Sequence, residues 1–499
     1  MPPLCGFDFA INISNLTFSY EGSFHNIFEN VSFQIDTDWK LGFTGRNGRG
    51  KTTFLKLLMG KYEYSGTISS NVSFEYFPYD VPDADFFVID VIHEISPNAQ
   101  DWEIARELSL LNVSDDLLYR SYSTLSKGEQ TKALLAALFL KENSFLLIDE
   151  PTNHLDTLGR KTLSDYLKRK HGFILVSHDR VFLDNCIDHI LVINKTNIEV
   201  QRGNFSSWWR NKEMQDSFER AENEKHKKEI SRLTAAAQKT SGWSDRVEKS
   251  KNGSTNSGSK LDKGYVGHKA AKMMKRSKAI ENRQQDLIHE KSKLLKNLET
   301  AESLKLSPLP YHTSRLLELS DVSIAYGSRA VCSNISFTIE QGDRIALQGK
   351  NGSGKSSILK LICGENIPYQ GILRKSERLK ISYVPQSTAG LNGFLSEYIE
   401  RNLLDESLFK AILRKFDFPR EQFEKRLDEF SEGQKKKVLL AKSLCEQAHL
   451  YIWDEPLNYI DVLSRMQIEN LLLEYKPTIL FVEHDSAFCE NIATKTVEL

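Results

Sequence analysis

Two short words carry the chemistry of this chain. GRNGRGKTT runs from Gly45 to Thr53 and GKNGSGKSS from Gly349 to Ser357. In each, glycines (Gly45, Gly48, Gly50; Gly349, Gly352, Gly354) let backbone N–H groups approach a phosphate. A lysine (Lys51; Lys355) reaches the outer phosphates of a nucleoside triphosphate, and the next hydroxyl (Thr52; Ser356) suits Mg²⁺. Asn47, Thr53, Asn351 and Ser357 complete the loops. Downstream of each loop an apolar run ends in an acidic pair, FLLIDE at Asp149 and Glu150 and LYIWDE at Asp454 and Glu455. The aspartate of such a pair suits Mg²⁺ through water, and the glutamate suits polarising a water that attacks phosphate. A further apolar run in each half ends in a histidine before an aspartate, at His178 and His484.

These residues recur at closely agreeing spacings. Lys51 to Lys355 is 304 residues, Glu150 to Glu455 is 305, and His178 to His484 is 306. The chain is therefore a tandem duplication of a unit of about 200 residues. Apolar runs of four to six residues that end in polar groups predict a buried parallel sheet with its chemistry at the carboxyl edge. The loops are followed by helical patterns, TTFLKLL and SSILKLI. The expected fold class is α/β, with one such sheet in each half.

Between the halves the composition changes. Ser206 to Thr240 contains neither glycine nor proline, which predicts a helix of about 50 Å. Ser241 to Gly264, rich in glycine, serine and asparagine, predicts a break. Met273, Ile280, Leu287, Leu294 and Ala301 recur every seven residues, so a second helix with one packing stripe is expected, closing a hairpin at Ser307 to Pro310. The expected domains are residues 1–204, 205–314 and 315–499. The overall charge is −1, yet Ser231 to Ile280 holds twelve Lys or Arg against three acids. A basic hairpin end on an acidic body is the footprint of phosphate-backbone binding. Lys249, Lys251, Lys269, Lys272, Lys275, Arg276 and Lys278 are the residues expected to make it.

Six scattered cysteines with no C-x-x-C pair point away from a disulfide framework or zinc ribbon and towards a reducing compartment. No basic-then-apolar leader opens the chain, and no apolar run approaches the roughly 18 to 20 residues of a membrane span. A soluble protein of the cytosol, or one that reaches a membrane only through a partner, is expected.

LSKGEQ (Leu125 to Gln130) and FSEGQ (Phe430 to Gln434), in order with the loops, the acidic strands and IDEPTNHLD, resemble the signature motif of ATP-binding cassette proteins. The resemblance covers both halves. It implies two ATP molecules, each with Mg²⁺, held between the loop of one half and the signature of the other. One site would use Lys51, Thr52, Asp149, Glu150 and His178 with Ser431 and Gly433. The other would use Lys355, Ser356, Gln386, Asp454, Glu455 and His484 with Ser126 and Gly128. Tyr20 and Tyr326 stand where the family places an adenine-stacking aromatic. In these roles Glu150, Glu455, His178 and His484 are catalytic, while Thr52, Asp149, Ser356, Gln386 and Asp454 face the metal. The halves differ: Tyr79 replaces the glutamine at Gln386, and Leu457 and Tyr459 stand where Thr152 and His154 do. Two competent sites with unequal rates are expected.

Two intact cassettes joined by a charged helical linker resemble the ABC-F group, which acts on translation. The tip words WSDRVEKSKNG and KAAKMMKRSKAIENR resemble its antibiotic-resistance members. That resemblance implies a cytoplasmic monomer, with no transmembrane partner, acting on the bacterial ribosome, with its linker in the tRNA exit site against 23S ribosomal RNA. A housekeeping translation factor is the alternative, and a transport ATPase a more remote one.

Overall fold

The computed structural model of the chain describes residues 10–21, 26–153, 155–194, 197–250, 272, 275, 283, 304–327 and 329–499. In the first half, β1 (Ala10–Phe18), β2 (Phe28–Asp36) and β3 (Lys40–Thr44) lead into α1 (Lys51–Leu58), then β4 (Ser65–Ser69) and β5 (Ser73–Phe77). Next come α2 (Val88–Ile95), α3 (Asp101–Leu110) and α4 (Lys127–Phe139). The half closes with β6 (Ser144–Asp149), α5 (Thr157–Leu167), β7 (Phe173–Val176), α6 (Arg180–Cys186), β8 (His189–Asn194) and β9 (Asn197–Arg202). Helix α7 (Phe205–Ser250) follows.

The second half repeats the order. It begins with β10 (Arg315–Tyr326), β11 (Arg329–Glu340), β12 (Arg344–Gln348), α8 (Lys355–Cys363), β13 (Tyr369–Lys375) and β14 (Ile381–Val384). It continues with α9 (Leu395–Arg401), α10 (Glu406–Lys415), α11 (Glu432–Cys445), β15 (Leu450–Asp454), α12 (Val462–Tyr475), β16 (Ile479–Val482), α13 (Ser486–Ile492) and β17 (Lys495–Glu498).

The main sheets run β5-β6-β7-β3-β8-β9 and β14-β15-β16-β12-β17. Every described pairing in them is parallel except β8 with β9. The α/β class with a parallel sheet at the centre of each half is what the apolar runs predict. Phe145 to Ile148 and Leu450 to Trp453 are buried, as strands covered on both faces must be. Each half also carries a three-stranded antiparallel sheet, β2-β1-β4 and β11-β10-β13, which the motif reading does not anticipate. Register brings the functional edge together: Asp149 lies opposite Val176, and Phe43 pairs with the same residue from the other side. Phe54 of α1 fastens the first loop helix to this core through edge contacts with Phe28 and Phe43.

The signature words have a local folding role as well. Ser126 and Ser431 are N-caps of α4 and α11, accepting from Glu129 N and Gln434 N, and the N3 side chains bond back. Both are capping boxes, which fixes where each helix begins.

The linker departs from expectation. The first helix does not break at Ser241 but runs 46 residues to Ser250. A lone Gly242 costs a helix about 1 kcal/mol, too little to end one with helix formers about a turn away on both sides, at Ala235 to Lys239 and Arg246 to Lys249. Of the second predicted helix, Lys272, Lys275 and Arg283 are described, helical and exposed. Its heptad residues and the rest of the predicted break lie outside the described residues. One compact unit comprises Met1–Trp208 with Ala301–Leu499, and a second Trp209–Thr300. The first unit takes in the opening turn of α7, where Phe205 and Trp208 are buried. The five described cysteines are unpaired. No described helix is long and apolar enough to cross a membrane.

Candidate functional site

Each glycine loop turns into its helix through a residue with left-handed backbone, Gly50 (φ 94°) and Gly354 (φ 93°). A Cβ on Gly50 would stand 2.5 Å from Ile27, and one on Gly354 2.8 Å from Val331, so no other residue fits without displacement. This aims the free N–H groups of the first helical turn at one point, a ready anion site. The lysines fold back over the loops. Lys51 Nζ donates to Gly45 O at 2.7 Å, and Lys355 Nζ to Gly349 O at 2.8 Å and Lys350 O at 2.9 Å. Burial lowers the pKa of both lysines.

Beside Lys51, Asp149 Oδ2 accepts from Thr52 Oγ1 at 2.8 Å and from the Tyr76 hydroxyl at 3.1 Å. Burial pushes the Asp149 pKa up against these bonds. Glu150 is pushed up to about 8 by burial and then by the Asp149 charge. His178 Nε2 lies 3.3 Å from Glu150 Oε1, but that oxygen has no aligned hydrogen bond. Burial, then the charges of Lys51 and Arg465, hold the His178 pKa well below its ordinary value, so the ring is neutral.

The second half presents the same groups in a different electrostatic state. Asp454 is buried and neither carboxylate oxygen has an aligned partner, although the Ser356 hydroxyl is near enough to restrain its pKa. Burial takes that pKa up to about 6. Glu455 would also rise on burial. Instead, hydrogen bonding from His484 and Gln386, with the charge of Lys436, brings it to about 2. The Asn458 amide donates to its other oxygen. Both glutamates hold left-handed backbone, φ 51° at Glu150 and 47° at Glu455, a conformation that costs a non-glycine residue energy and recurs at functional sites.

The two loops meet the opposite half differently. Asn47 Nδ2 donates to Tyr459 O at 2.7 Å, and a Cβ on Gly433 would come within 2.5 Å of that carbonyl and 3.0 Å of Asn47. Arg46 and Arg49 lie 3.5 and 3.4 Å from Asp417. Around Lys355 the halves instead enclose a cleft of about 1120 Å³, with Ser126 and Gly128 facing Lys355, Ser356, Gln386, Glu455 and His484. Its size, its helix N-terminus and the orphaned oxygens of Asp454 fit a nucleoside triphosphate with a divalent cation.

Tyr20 and Tyr326 stand half-exposed beside the loop helices, with hydroxyls 2.7 Å from Thr53 Oγ1 and 3.3 Å from Ser357 Oγ. Tyr79 is half-buried after β5. His154 lies outside the described residues. So do Lys251, Lys269, Arg276 and Lys278, while Lys249 is in α7 and Lys272 and Lys275 are helical and exposed.

Sequence reasoning missed Tyr76 and Glu483. Tyr76 is the first letter of YFPY, shared with YVPQ, and that recurrence was its signal. Glu483 replaces Ser177, and its carboxylate accepts from Leu457 N at 2.8 Å where the first half has a hydroxyl pair, Thr152 with Ser177, at 3.4 Å. The exchanges at these two positions therefore compensate each other.

A family model described as ABC transporter matches residues 28–153 and 332–458. Ribosome protection protein VmlR of Bacillus subtilis is 29% identical over 483 residues, covering 95% of this chain and 84% of its own length. ATP-binding protein Uup of Buchnera aphidicola is 28% identical over 507 residues, 97% of this chain and 79% of its own. Energy-dependent translational throttle protein EttA of Escherichia coli is 26% identical over 528 residues, 95% of this chain and 89% of its own. The solved archaeal ribosome recycling factor aABCE1, in complex with stalk protein aP1, superposes with a TM-score of 0.64 at 19% identity, covering 97% of this chain and 87% of that one. That likeness is one of fold.

Proposed function

The chain belongs to the ATP-binding cassette family, in its ABC-F group, and from that premise we propose that it is a ribosome-binding ATPase that protects bacterial ribosomes from peptidyl-transferase-centre antibiotics. ATP hydrolysis is the family's reaction. In this reading Lys51 and Lys355, with the N–H groups of their loops, bind the phosphates. Bound Mg²⁺ would be held by Thr52 and Asp149, and by Ser356, Gln386 and Asp454, and would neutralise charge on the phosphates. Glu150 and Glu455 orient the attacking water, and His178 and His484 face those carboxylates. Ser126 with Gly128, and Ser431 with Gly433, complete each site from the opposite half. Nucleotide thus draws the halves together, and its hydrolysis frees them.

One observation supports the ribosomal reading above transport. Two complete cassettes, with no described helix able to cross a membrane, are separated by the 46-residue α7 and the basic segment it enters. Such a segment suits the phosphate backbone of RNA. The similarity to VmlR, a ribosome protection protein, over 95% of the chain favours protection in particular. In this reading the linker is directed through the tRNA exit site. Similarity to EttA, of like extent, favours a second reading as a housekeeping translation factor.

The deciding experiment expresses the chain in a susceptible bacterium and measures inhibitory concentrations for lincosamides, streptogramin A compounds and pleuromutilins. Protection against at least one class is expected, and its loss when Glu150 and Glu455 are both replaced by glutamine. Ribosome cosedimentation with ATP but no protection would favour the housekeeping reading.

A further inference from the structure

Lys436 is 1% exposed, on the second turn of α11. Its ammonium donates to three backbone carbonyls: Pro385 at 2.9 Å, Gln386 at 3.2 Å and Asp454 at 3.2 Å. All three donors of a lysine are thereby used, so a buried charge that would otherwise be costly is satisfied. The carboxylates of Glu483, Asp454, Glu455 and Glu432 surround it. Two of the carbonyls belong to Gln386 and Asp454, residues read above as facing the metal of the second site. They sit on different elements, the segment after β14 and the end of β15, and Lys436 ties both to one helix.

That helix also serves the other site. Its first-turn Gly433, two residues after the N-cap Ser431, lies against Tyr459 O, the carbonyl that Asn47 of the first glycine loop holds at 2.7 Å. Among the described residues the first half shows no such tie. Thr131 stands where Lys436 does, and its hydroxyl bonds within its own helix, to Lys127 O at 3.0 Å.

We propose that Lys436 is a positioning residue for the second nucleotide site, holding Gln386 and Asp454 in place and linking that placement, through α11, to contact between Gly433 and Asn47 of the first glycine loop. The proposal rests on the reading of Gln386 and Asp454 as site residues. It makes the two routes between the sites unequal: α11 carries a side chain that ties the first loop's contact to the metal side of the second site, whereas Thr131 of α4 makes no such tie.

The test compares Lys436→Met, which keeps volume without donors, Lys436→Gln, which keeps two donors, and Lys436→Arg. In nucleotide-free protein, hydrogen exchange of peptides covering residues 383–388 and 452–456 is expected to rise in Lys436→Met, less in Lys436→Gln and least in Lys436→Arg. With the first site silenced by Glu150→Gln, second-site kcat should fall about ten- to a hundredfold in Lys436→Met with a much smaller change in KM. With the second site silenced by Glu455→Gln, first-site turnover should stay within about threefold. Unchanged exchange and unchanged second-site kcat would overturn the proposal, as would equal loss at both sites, which marks a purely structural lysine. If Lys436→Met does not fold, the order of exchange in Lys436→Gln and Lys436→Arg decides in its place. Should Glu150→Gln and Glu455→Gln leave total turnover untouched, the assignment of the glutamates fails, and the exchange data still judge Lys436.

Discussion

Arg180 donates across the two halves to Glu469 at 2.6 Å, and Glu469 is held on its other oxygen by Asn491 at 2.6 Å. In the duplicated sequence the corresponding positions are Ser486 and Ser164, so the pair is not repeated. The contacts of Arg46 and Arg49 with Asp417 behave alike, because Lys350, Ser353 and Asn112 occupy the matching places. In both of these inter-half contacts the arginines come from the first half and the acids from the second.

A double-mutant cycle on Arg180→Ala and Glu469→Ala tests this contact. Both side chains are mostly buried, so breaking the pair should cost about 1–3 kcal/mol, with at least about 1 kcal/mol of coupling between the substitutions. Strictly additive effects in chemical denaturation would mean the pair does not form in solution.

The two tyrosines of YFPY and YVPQ should respond differently to loss of their hydroxyls. Tyr76 donates to Asp149 at 3.1 Å, whereas the buried Tyr383 hydroxyl has no hydrogen-bond partner. Tyr76→Phe is expected to destabilise by about 1.5–3 kcal/mol, the range for a hydrogen bond to a charged group. Tyr383→Phe should be neutral or stabilising, since it removes an unsatisfied polar atom. Equal denaturation midpoints for the two variants would contradict the asymmetry.

Glu107 supplies a pH signature away from the nucleotide sites. Its carboxylate accepts from Tyr166 at 2.7 Å and Lys170 at 2.5 Å. Burial would raise its pKa, but these hydrogen bonds and the Lys170 charge outweigh that and lower it from 4.5. A depressed folded-state pKa adds stability that is fully present above the unfolded value and lost as pH falls through the folded one. Stability should thus decline from about pH 5 downwards, and Glu107→Gln should flatten that decline while costing about 2–4 kcal/mol at pH 7. Thermal melts of both proteins from pH 3 to 8 check it; parallel curves would exclude Glu107 as a contributor.

For the linker, Lys269, Lys272, Lys275, Arg276 and Lys278 changed together to glutamate should weaken ribosome cosedimentation and lower its salt dependence, because each phosphate contact releases counterions. Trimming Asn252 to Ser259, which contains no Lys or Arg, should leave binding intact and reduce drug protection. If the trimmed protein protects as well as its parent, reach is not the basis of resistance.

The sequence by itself determined the duplication, the α/β class and the glycine loops, because those depend on local rules: strand-length apolar runs, glycines at positions requiring left-handed backbone, and S-x-x-E or S-x-x-Q words that cap helices. Ser126 and Ser431 could be located from such words alone. The end of the first linker helix was not legible, because the run rich in glycine, serine and asparagine from Ser241 reads as a break, while its first glycine, Gly242, costs little beside the helix formers a turn away on either side. Tertiary structure alone decided which groups meet. Arg180 and Glu469 are 289 residues apart, and Lys436 reaches Pro385 across 51. It also decided the protonation states. Glu150 and Glu455 are the same letter at the same place in the repeat, yet one is pushed up to about 8 and the other down to about 2. Burial acts on both, and the difference comes from neighbours that only packing supplies: Asp149 acting on the first, and His484, Gln386 and Lys436 on the second.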